Sequence, residues 1–175
     1  MERSEAFAEL ALPLMDSLYN FACWLTHDRV EAEDLVQETF AKALAGFSSF
    51  TPGTNFRAWI FRILRNTFFN SVSGLASMRT VSWDENAESV AEIVHASDDT
   101  PESILLQGSN QEAIRAAIEN LAVPFREVLL LANVEEMSYR EISEALGIPS
   151  GTVMSRLARA RKILRESLRE KVVRT

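Results

Sequence analysis

Aromatic and basic side chains alternate in one stretch of the chain in a pattern that suits nucleic-acid chemistry. When residues 55–73 are projected as a helix, one side carries Phe61, Arg62, Arg65, Asn66 and Phe69. No carboxylate occurs from Thr51 to Val81. Rings stack on unpaired bases and arginines neutralise phosphates, so this side is predicted to bind single-stranded DNA. The alternative is that Phe61 and Phe69 pack against the first helix or the second domain.

A second candidate surface lies near the carboxyl end of the chain. Its polar side chains share one face of a predicted helix: Thr152, Ser155, Arg156, Arg159 and Lys162. Hydroxyls and guanidiniums at the start of a helix can read base edges in duplex DNA, and positive charge farther along can bind phosphates. The alternative is an ordinary helical hairpin with a solvated basic face.

Catalytic and metal-binding chemistry finds little support in the sequence. The lone cysteine, Cys23, lies among apolar neighbours and is predicted to be a buried thiol. His27 has only Cys23 at a ligand spacing, and the other histidine, His95, lies far away in the sequence. We therefore expect no metal, no cofactor and no enzymatic activity.

The net charge of −7 hides a strong polarisation along the chain. Residues 156–175 carry eight basic and two acidic side chains, whereas residues 80–120 carry nine acids and only Arg115 as a base. A basic face attracts phosphate and an acidic segment is repelled by it, so the two segments are predicted to have different partners. A solvated helix face explains the basic charges equally well at this point.

Three helices are predicted to position the first candidate surface. The first spans Glu5 to Thr26 with a kink at Pro13, and the second opens with a capping box of Asp28 and Glu31 and ends at Gly46. The third runs from about Asn55 to Ser73, with Gly74 as its terminator. Its predicted core side comprises Phe56, Trp59, Ile60, Ile63, Leu64 and Thr67.

The rest of the chain is predicted to form a linker and a second helical domain. Residues 77–99 lack a helical period and are rich in Ser, Asp, Glu and Ala, and Thr100 and Pro101 then begin a helix. Four helices are expected, at about Glu102–Asn120, Pro124–Val134, Tyr139–Leu146 and Gly151–Lys171. The third opens with a Ser138–Glu141 capping box and stops at Gly147, and Ser150 can cap the fourth, which makes a helix-turn-helix.

The predicted fold is therefore all-α, with two small helical domains, 1–76 and 100–175, joined by a flexible acidic linker at 77–99. The amino-terminal residues contain Glu2, Arg3 and Glu5 and lead into no apolar signal region. No long uncharged apolar stretch occurs either. We expect a soluble, cytoplasmic protein without membrane insertion.

The residues Tyr139 to Arg161 (YREISEALGIPSGTVMSRLARAR) closely resemble the fourth conserved region of extracytoplasmic-function sigma factors of the sigma-70 family. In that family this helix reads the minus-thirty-five promoter element. The resemblance implies contacts around Thr152, Met154, Ser155 and Arg159, although Met154 stands where several members carry a basic residue. The predicted minus-thirty-five site comprises Ser150, Thr152, Met154, Ser155, Arg156, Arg159 and Lys162.

Two further stretches resemble conserved region two of the same family. Asp34 to Phe40 (DLVQETF) is similar to its polymerase-binding helix, which implies that Asp34, Gln37 and Glu38 face the clamp helices of the largest polymerase subunit. Phe50 to Thr67 (FTPGTNFRAWIFRILRNT) is similar to its promoter-melting part. This resemblance implies that the loop from Phe50 to Asn55, with Arg62 and Asn66, captures a flipped base of the minus-ten element. The full predicted site is Phe50, Asn55, Arg57, Phe61, Arg62, Arg65, Asn66 and Asn70. After Asn70 the basic residues of many members are missing, so fewer phosphate contacts are expected.

The resemblance implies a promoter-specificity subunit. Its expected partners are the clamp helices and flap of core RNA polymerase, promoter DNA in duplex and single-stranded form, and an anti-sigma factor. A two-domain helix-turn-helix regulator that acts without core polymerase is the main alternative. A helical adaptor or anti-factor with no DNA role is a third, and it predicts no salt-dependent affinity for DNA.

Overall fold

The computed structural model describes residues 2–76 and 111–173, and every regular element in these ranges is a helix. The predicted all-α class is confirmed. The chain divides into two compact units, one formed by Met1–Trp83 with Met137–Pro149 and the other by Asp84–Glu136 with Ser150–Thr175. Residues 137–149, which lie within the predicted second domain at 100–175, group with the first unit. The predicted linker at 77–99 and the helix start at Thr100 lie outside the described residues.

The described part of the first unit contains five α-helices, which are α1 (Glu2–Ala11), α2 (Met15–Thr26), α3 (Arg29–Gly46), α4 (Phe56–Ala76) and α7 (Tyr139–Leu146). A 3-10 turn at Leu12–Leu14 separates α1 from α2. Pro13 lies in this turn, where its missing amide hydrogen and fixed φ disfavour a continuous α-helix. The predicted kink is thus a break between two helices.

Local signals set the start of α3. His27 adopts a left-handed conformation that ends α2, and the Asp28 side chain accepts a hydrogen bond of 3.0 Å from the Glu31 amide. The predicted Asp28 cap is confirmed. The buried face of α3 consists of Ala32, Leu35, Val36, Thr39 and Ala43. The Thr39 hydroxyl donates a 2.7 Å bond to the Leu35 carbonyl, which satisfies this buried polar group.

The core side of α4 agrees with the helical projection. Phe56, Ile60, Leu64 and Thr67 are buried, and Trp59 and Ile63 are half-buried. At its amino end, Phe56 and Trp59 belong to a cluster of rings that also contains Phe7, Phe47 and Phe50. The helix continues through Gly74 to Ala76, so the prediction that Gly74 ends it is wrong. A glycine costs a helix only about 1 kcal/mol relative to alanine, which is too little to stop it.

The second unit contains α5 (Gln111–Glu119), α6 (Val123–Asn133) and α8 (Ser150–Val173). Of the helix predicted at 102–120, only the part from Gln111 lies within the described residues. Arg126 joins α5 to α6, because its Nη2 donates to the carbonyls of Glu119 and Leu121 at 2.7 and 2.8 Å. Burial lowers the pKa of this guanidinium. These bonds satisfy carbonyls at the end of α5 that have no partner within the helix.

Candidate nucleic-acid interfaces

The predicted capping box before α7 is present in the structure. The Ser138 hydroxyl accepts a 3.2 Å bond from the Glu141 amide, and Glu141 Oε2 accepts a 2.8 Å bond from the Ser138 amide. At the other end, Gly147 has a φ of 67° and its amide donates to the Ser143 carbonyl. The chain enters α8 at Ser150. The local signals for a helix, a tight turn and a second helix are therefore confirmed.

A hydrogen bond from Ser143 and the backbone conformation of Gly147 define the turn after α7. The Ser143 hydroxyl donates a 2.5 Å bond to the Ile148 carbonyl. Gly147 adopts a left-handed conformation that L side chains rarely adopt, and a Cβ at this position would lie 3.0 Å from Nη2 of Arg62. Glycine is therefore favoured here by the backbone angle, and a larger residue would also displace the flexible end of the Arg62 side chain from α4.

The first turns of α8 carry the predicted minus-thirty-five residues, and their exposure is uneven. The buried stripe of the helix is Val153, Leu157, Ala160, Leu164 and Leu168. Opposite it, five predicted contacts are exposed, namely Ser150, Met154, Ser155, Arg159 and Lys162. Thr152 and Arg156 are half-buried. Most of the predicted surface thus faces away from the core of the second unit.

Two contacts orient polar groups on this surface. The Ser155 hydroxyl donates a 3.1 Å bond to the Thr152 carbonyl, one turn earlier in α8. The guanidinium carbon of Arg159 lies 5.9 Å from the centre of the Phe125 ring of α6, at the outer limit of a cation–π contact. Phe125 was not predicted to have a role, since only the folded arrangement of α6 and α8 brings it beside Arg159.

The prediction that Phe61 is exposed is wrong. Its side chain is 1% exposed, and its ring centre lies 5.5 Å from that of Phe21 in α2. Phe61 occurs three residues before the buried Leu64, so it lies at the margin of the apolar face of α4. Because α2 contacts α4, this margin is covered. The alternative considered from the sequence, packing against the first helical segment, applies to Phe61.

The polar residues of the predicted minus-ten site remain accessible on α4. Arg62, Asn66 and Asn70 are all exposed, and their spacing of four residues places them in one row along the helix. Arg65 is half-buried, with its guanidinium carbon 4.7 Å from the centre of the Phe69 ring. The exposed row is the part of the predicted single-strand surface that the structure retains.

The loop before α4 contributes Phe50 and Asn55, both half-buried. The Phe50 ring lies 5.2 Å from that of Trp59 and is held within the aromatic cluster. Asn55 caps α4, because its Oδ1 accepts a 3.0 Å bond from the Ala58 amide. Its Nδ2 donates a 2.9 Å bond to Oε1 of Glu141 in α7.

Glu141 is a partner of this site that the sequence did not indicate. The Ser138 amide bond lowers the pKa of its carboxyl group, and the Asn55 side chain and the positive charge of half-buried Arg57 lower it further. Partial burial acts in the opposite direction. A capping box is a purely local signal, so it does not predict a bond to a residue 86 positions away.

The predicted polymerase-binding residues Asp34, Gln37 and Glu38 are all exposed on α3. Glu38 Oε1 accepts a 2.7 Å bond from Lys42, and the Lys42 ammonium also donates to Thr67 of α4 at 3.4 Å. Lys42 therefore links the predicted polymerase-binding residues on α3 to α4, the helix that carries the predicted minus-ten residues. Lys42 was not among the predicted functional residues.

Cys23 is half-buried, which is less than the buried thiol that the sequence predicts. Its hydrogen bond with Tyr19 raises the pKa of the Tyr19 hydroxyl. Among the described residues, no three His, Cys, Asp or Glu side chains are grouped to hold a metal ion. Within the same ranges, no helix has the length and apolar character needed to cross a bilayer.

Comparisons with known proteins connect both surfaces to one family. The family model Sigma-70 region 2 matches residues 10–76, and the model Sigma-70, region 4 matches residues 111–164. The chain is 34% identical over 160 residues to the ECF RNA polymerase sigma factor SigE of Mycolicibacterium smegmatis, and the match covers 91% of this chain and 60% of that protein. The RNA polymerase sigma factor YlaC of Bacillus subtilis is 30% identical, with 96% and 95% covered.

Another relative and a solved structure are also sigma factors. The ECF RNA polymerase sigma factor SigW of Bacillus subtilis is 30% identical over 95% of this chain and 90% of its own length. The sigma factor RpoE from Bartonella quintana, solved in complex with the anti-sigma factor NepR, superimposes with a TM-score of 0.71 at 27% identity and covers 94% of this chain and 98% of that one. The two matched regions and the full-length relatives show that this chain belongs to the extracytoplasmic-function family of RNA polymerase sigma factors.

Proposed function

We propose that this sigma factor directs bacterial RNA polymerase to promoters by reading the minus-thirty-five element with α8 and by melting the minus-ten element with α4. A helix-turn-helix alone also suits a repressor, so the proposal depends on α4. The observation that carries it is the exposed row of Arg62, Asn66 and Asn70 in a stretch without carboxylates.

At the minus-thirty-five element, the exposed start of α8 enters the major groove. Thr152 and Ser155 offer hydroxyls near the beginning of the helix, while Arg159 and Lys162 lie one and two turns farther along. Met154 is 55% exposed and supplies an apolar contact at a position where several family members have a basic residue. This difference is expected to change the base preference.

At the minus-ten element, the loop from Phe50 to Asn55 and the row on α4 capture an unpaired base. Extruding a base from the stack costs a few kcal/mol, which hydrogen bonds and phosphate contacts to Arg62 and Asn66 offset. The buried Phe61 has no part in this capture and instead holds α4 against α2. The reaction needs no covalent step, in agreement with a non-enzymatic role without a cofactor.

Attachment to the polymerase uses other faces. Asp34, Gln37 and Glu38 on α3 bind the clamp helices of the largest subunit, and the second unit contacts the flap. An anti-sigma factor that covers these faces is the expected regulator, since the Bartonella quintana relative was solved with one. These assignments extend the family resemblance to individual residues of this chain.

Promoter-dependent run-off transcription with purified core polymerase tests the proposal. Asn66→Ala and Arg159→Ala are each expected to reduce run-off product while binding to core polymerase is retained. Arg140→Ala is the matched control, because Arg140 is exposed and pairs with the neighbouring Glu144 in α7. Undiminished initiation by both test variants contradicts the residue assignments. A chain that binds promoter DNA but never joins core polymerase is a regulator of a different class.

A further inference from the structure

One carboxylate connects the amino ends of α4 and α7. Oε2 of Glu141 accepts from the Ser138 amide at 2.8 Å and caps α7, while Oε1 accepts from Asn55 at 2.9 Å. The other end of the Asn55 amide caps α4 through the Ala58 amide at 3.0 Å. All of these residues belong to the first unit.

The same contact occupies residues of the proposed minus-ten site. Asn55 donates one of its two side-chain amide hydrogens to Glu141, and the charge of Arg57 acts on the same carboxylate. Independently of this bond, the Arg62 guanidinium lies against the bare Cα of Gly147 in the turn that follows α7. Three DNA-assigned side chains of the α4 region thus interact with α7 or its turn.

We propose that Glu141 is an intramolecular competitor of promoter DNA, whose carboxylate holds Asn55 until α7 leaves α4. The inference rests on the proposed function, because it assumes that Asn55 and Arg62 bind the minus-ten strand. A carboxylate oxygen and a phosphate or base oxygen are alternative acceptors for the same donors. The bond to Glu141 takes one of the two N–H donors of Asn55 and fixes the orientation of the other, so a promoter oxygen must compete with the carboxylate for that donor.

The bonds are arranged so that this contact can open without unfolding either helix. Asn55 caps α4 with its oxygen and holds Glu141 with its nitrogen, so the cap remains when the nitrogen is released. In the same way, Glu141 keeps the Ser138 bond through Oε2 when Oε1 is released. Separate atoms therefore serve the caps and the Asn55–Glu141 bond.

Binding of a fluorescein-labelled, single-stranded oligonucleotide pool of random sequence to the full chain tests this inference. Glu141→Gln retains a residue type that suits a capping box but removes the charge and one acceptor oxygen. We expect it to bind the pool roughly fivefold more tightly than wild type, the effect of losing one competing hydrogen bond. The matched control is Glu144→Gln, which makes the same charge change on the same helix, where Glu144 pairs with Arg140.

A second variant keeps the inference testable if Glu141→Gln fails to fold. Glu141→Asp keeps the charge but shortens the side chain by one methylene, so it also should release Asn55 and tighten binding. Folding of each variant is checked by far-ultraviolet circular dichroism. If neither folded variant binds the pool more tightly than Glu144→Gln does, the competitor role is overturned.

Arg62→Ala separates this inference from the proposed function. If Arg62→Ala weakens binding but the Glu141 variants match their control, α4 binds single strands and only the competitor role fails. If Arg62→Ala leaves binding unchanged, the single-strand function of α4 fails, and the competitor role fails with it.

Discussion

Phe61 and Phe69 lie eight residues apart on α4 but differ in environment. Phe61 is 1% exposed and packs on Phe21, whereas Phe69 is half-buried beside Arg65. The projection of a single helix correctly placed Phe56, Ile60 and Leu64 in the core. It could not place Phe61, because the width of a buried face depends on how many neighbours cover it, and α2 covers this margin.

Replacement of these two rings by alanine is expected to have unequal effects on stability. Phe61→Ala removes a large side chain from the core and leaves a cavity, so the free energy of unfolding should fall by about 3–5 kcal/mol. Phe69→Ala is the matched control and should cost much less. Urea unfolding of the full chain, followed by circular dichroism, measures both. Equal losses for the two variants are incompatible with the packing described.

The Glu141 carboxylate makes stability depend on pH in a defined direction. Its pKa in the folded chain is lowered from the ordinary value of 4.5, chiefly by the Ser138 amide and then by Asn55 and Arg57, against a partial desolvation effect. A lowered folded-state pKa contributes stability above the unfolded value, and this contribution is lost as the pH falls through the folded value.

Thermal unfolding of wild type and Glu141→Gln across the acidic range tests this dependence. Wild type should be the more stable of the two well above pH 4.5, and the difference should shrink as the pH falls below that value. Glu144→Gln provides the comparison for an exposed carboxylate on the same helix. A wild-type advantage that stays constant throughout the titration argues against the bonding described for Glu141.

At the scale of single elements, helix ends were the most predictable features. The Asp28 cap, the Ser138–Glu141 capping box and the left-handed Gly147 all agree with the sequence, since each depends on residues within one turn. The end of α4 was less predictable. Gly74 is compatible with a helix end but does not require one, and α4 continues to Ala76.

Gly147 and Gly151 provide a matched pair for testing the turn between α7 and α8. Gly147→Ala should destabilise the chain by about 1–2 kcal/mol, because alanine is strained at positive φ. The new Cβ would also displace the flexible end of the Arg62 side chain, which can move at little cost. Gly151→Ala should be neutral or stabilising, since Gly151 lies within α8 and nothing is within 4 Å of its Cβ position. Urea midpoints compare them, and a neutral Gly147→Ala rules out the described turn.

At the scale of the whole molecule, sequence patterns predicted two helical domains but did not indicate that α7 contacts α4. The apolar face of α7 was evident from Ile142 and Leu146, both of which are buried. A helical period shows that a face is apolar without showing which helix covers it. The grouping of residues 137–149 with the first unit, and the bond between Asn55 and Glu141, could therefore not be derived from spacing.

The basic face of α8 predicts how promoter binding responds to salt. Each phosphate contact contributes about 0.9 to the slope of log affinity against log salt concentration. Lys162→Ala in the polymerase complex should therefore reduce the slope by roughly one unit and weaken binding similarly at all promoter sequences. Arg140→Ala, outside this face, should leave the slope unchanged. Equal slopes for wild type and Lys162→Ala contradict a phosphate contact from Lys162.

Separate surfaces for the two promoter elements are the central claim, and transcription from a library with both elements randomised tests it most directly. Polymerase carrying wild type, Asn66→Ala or Arg159→Ala is used, and the transcribed templates are sequenced. Arg159→Ala should relax base preference only in the minus-thirty-five element, and Asn66→Ala only in the minus-ten element. The assignment of one element to α8 and the other to α4 is contradicted if either variant relaxes base preference in both elements. It is also contradicted if the two variants leave base preference unchanged in both elements.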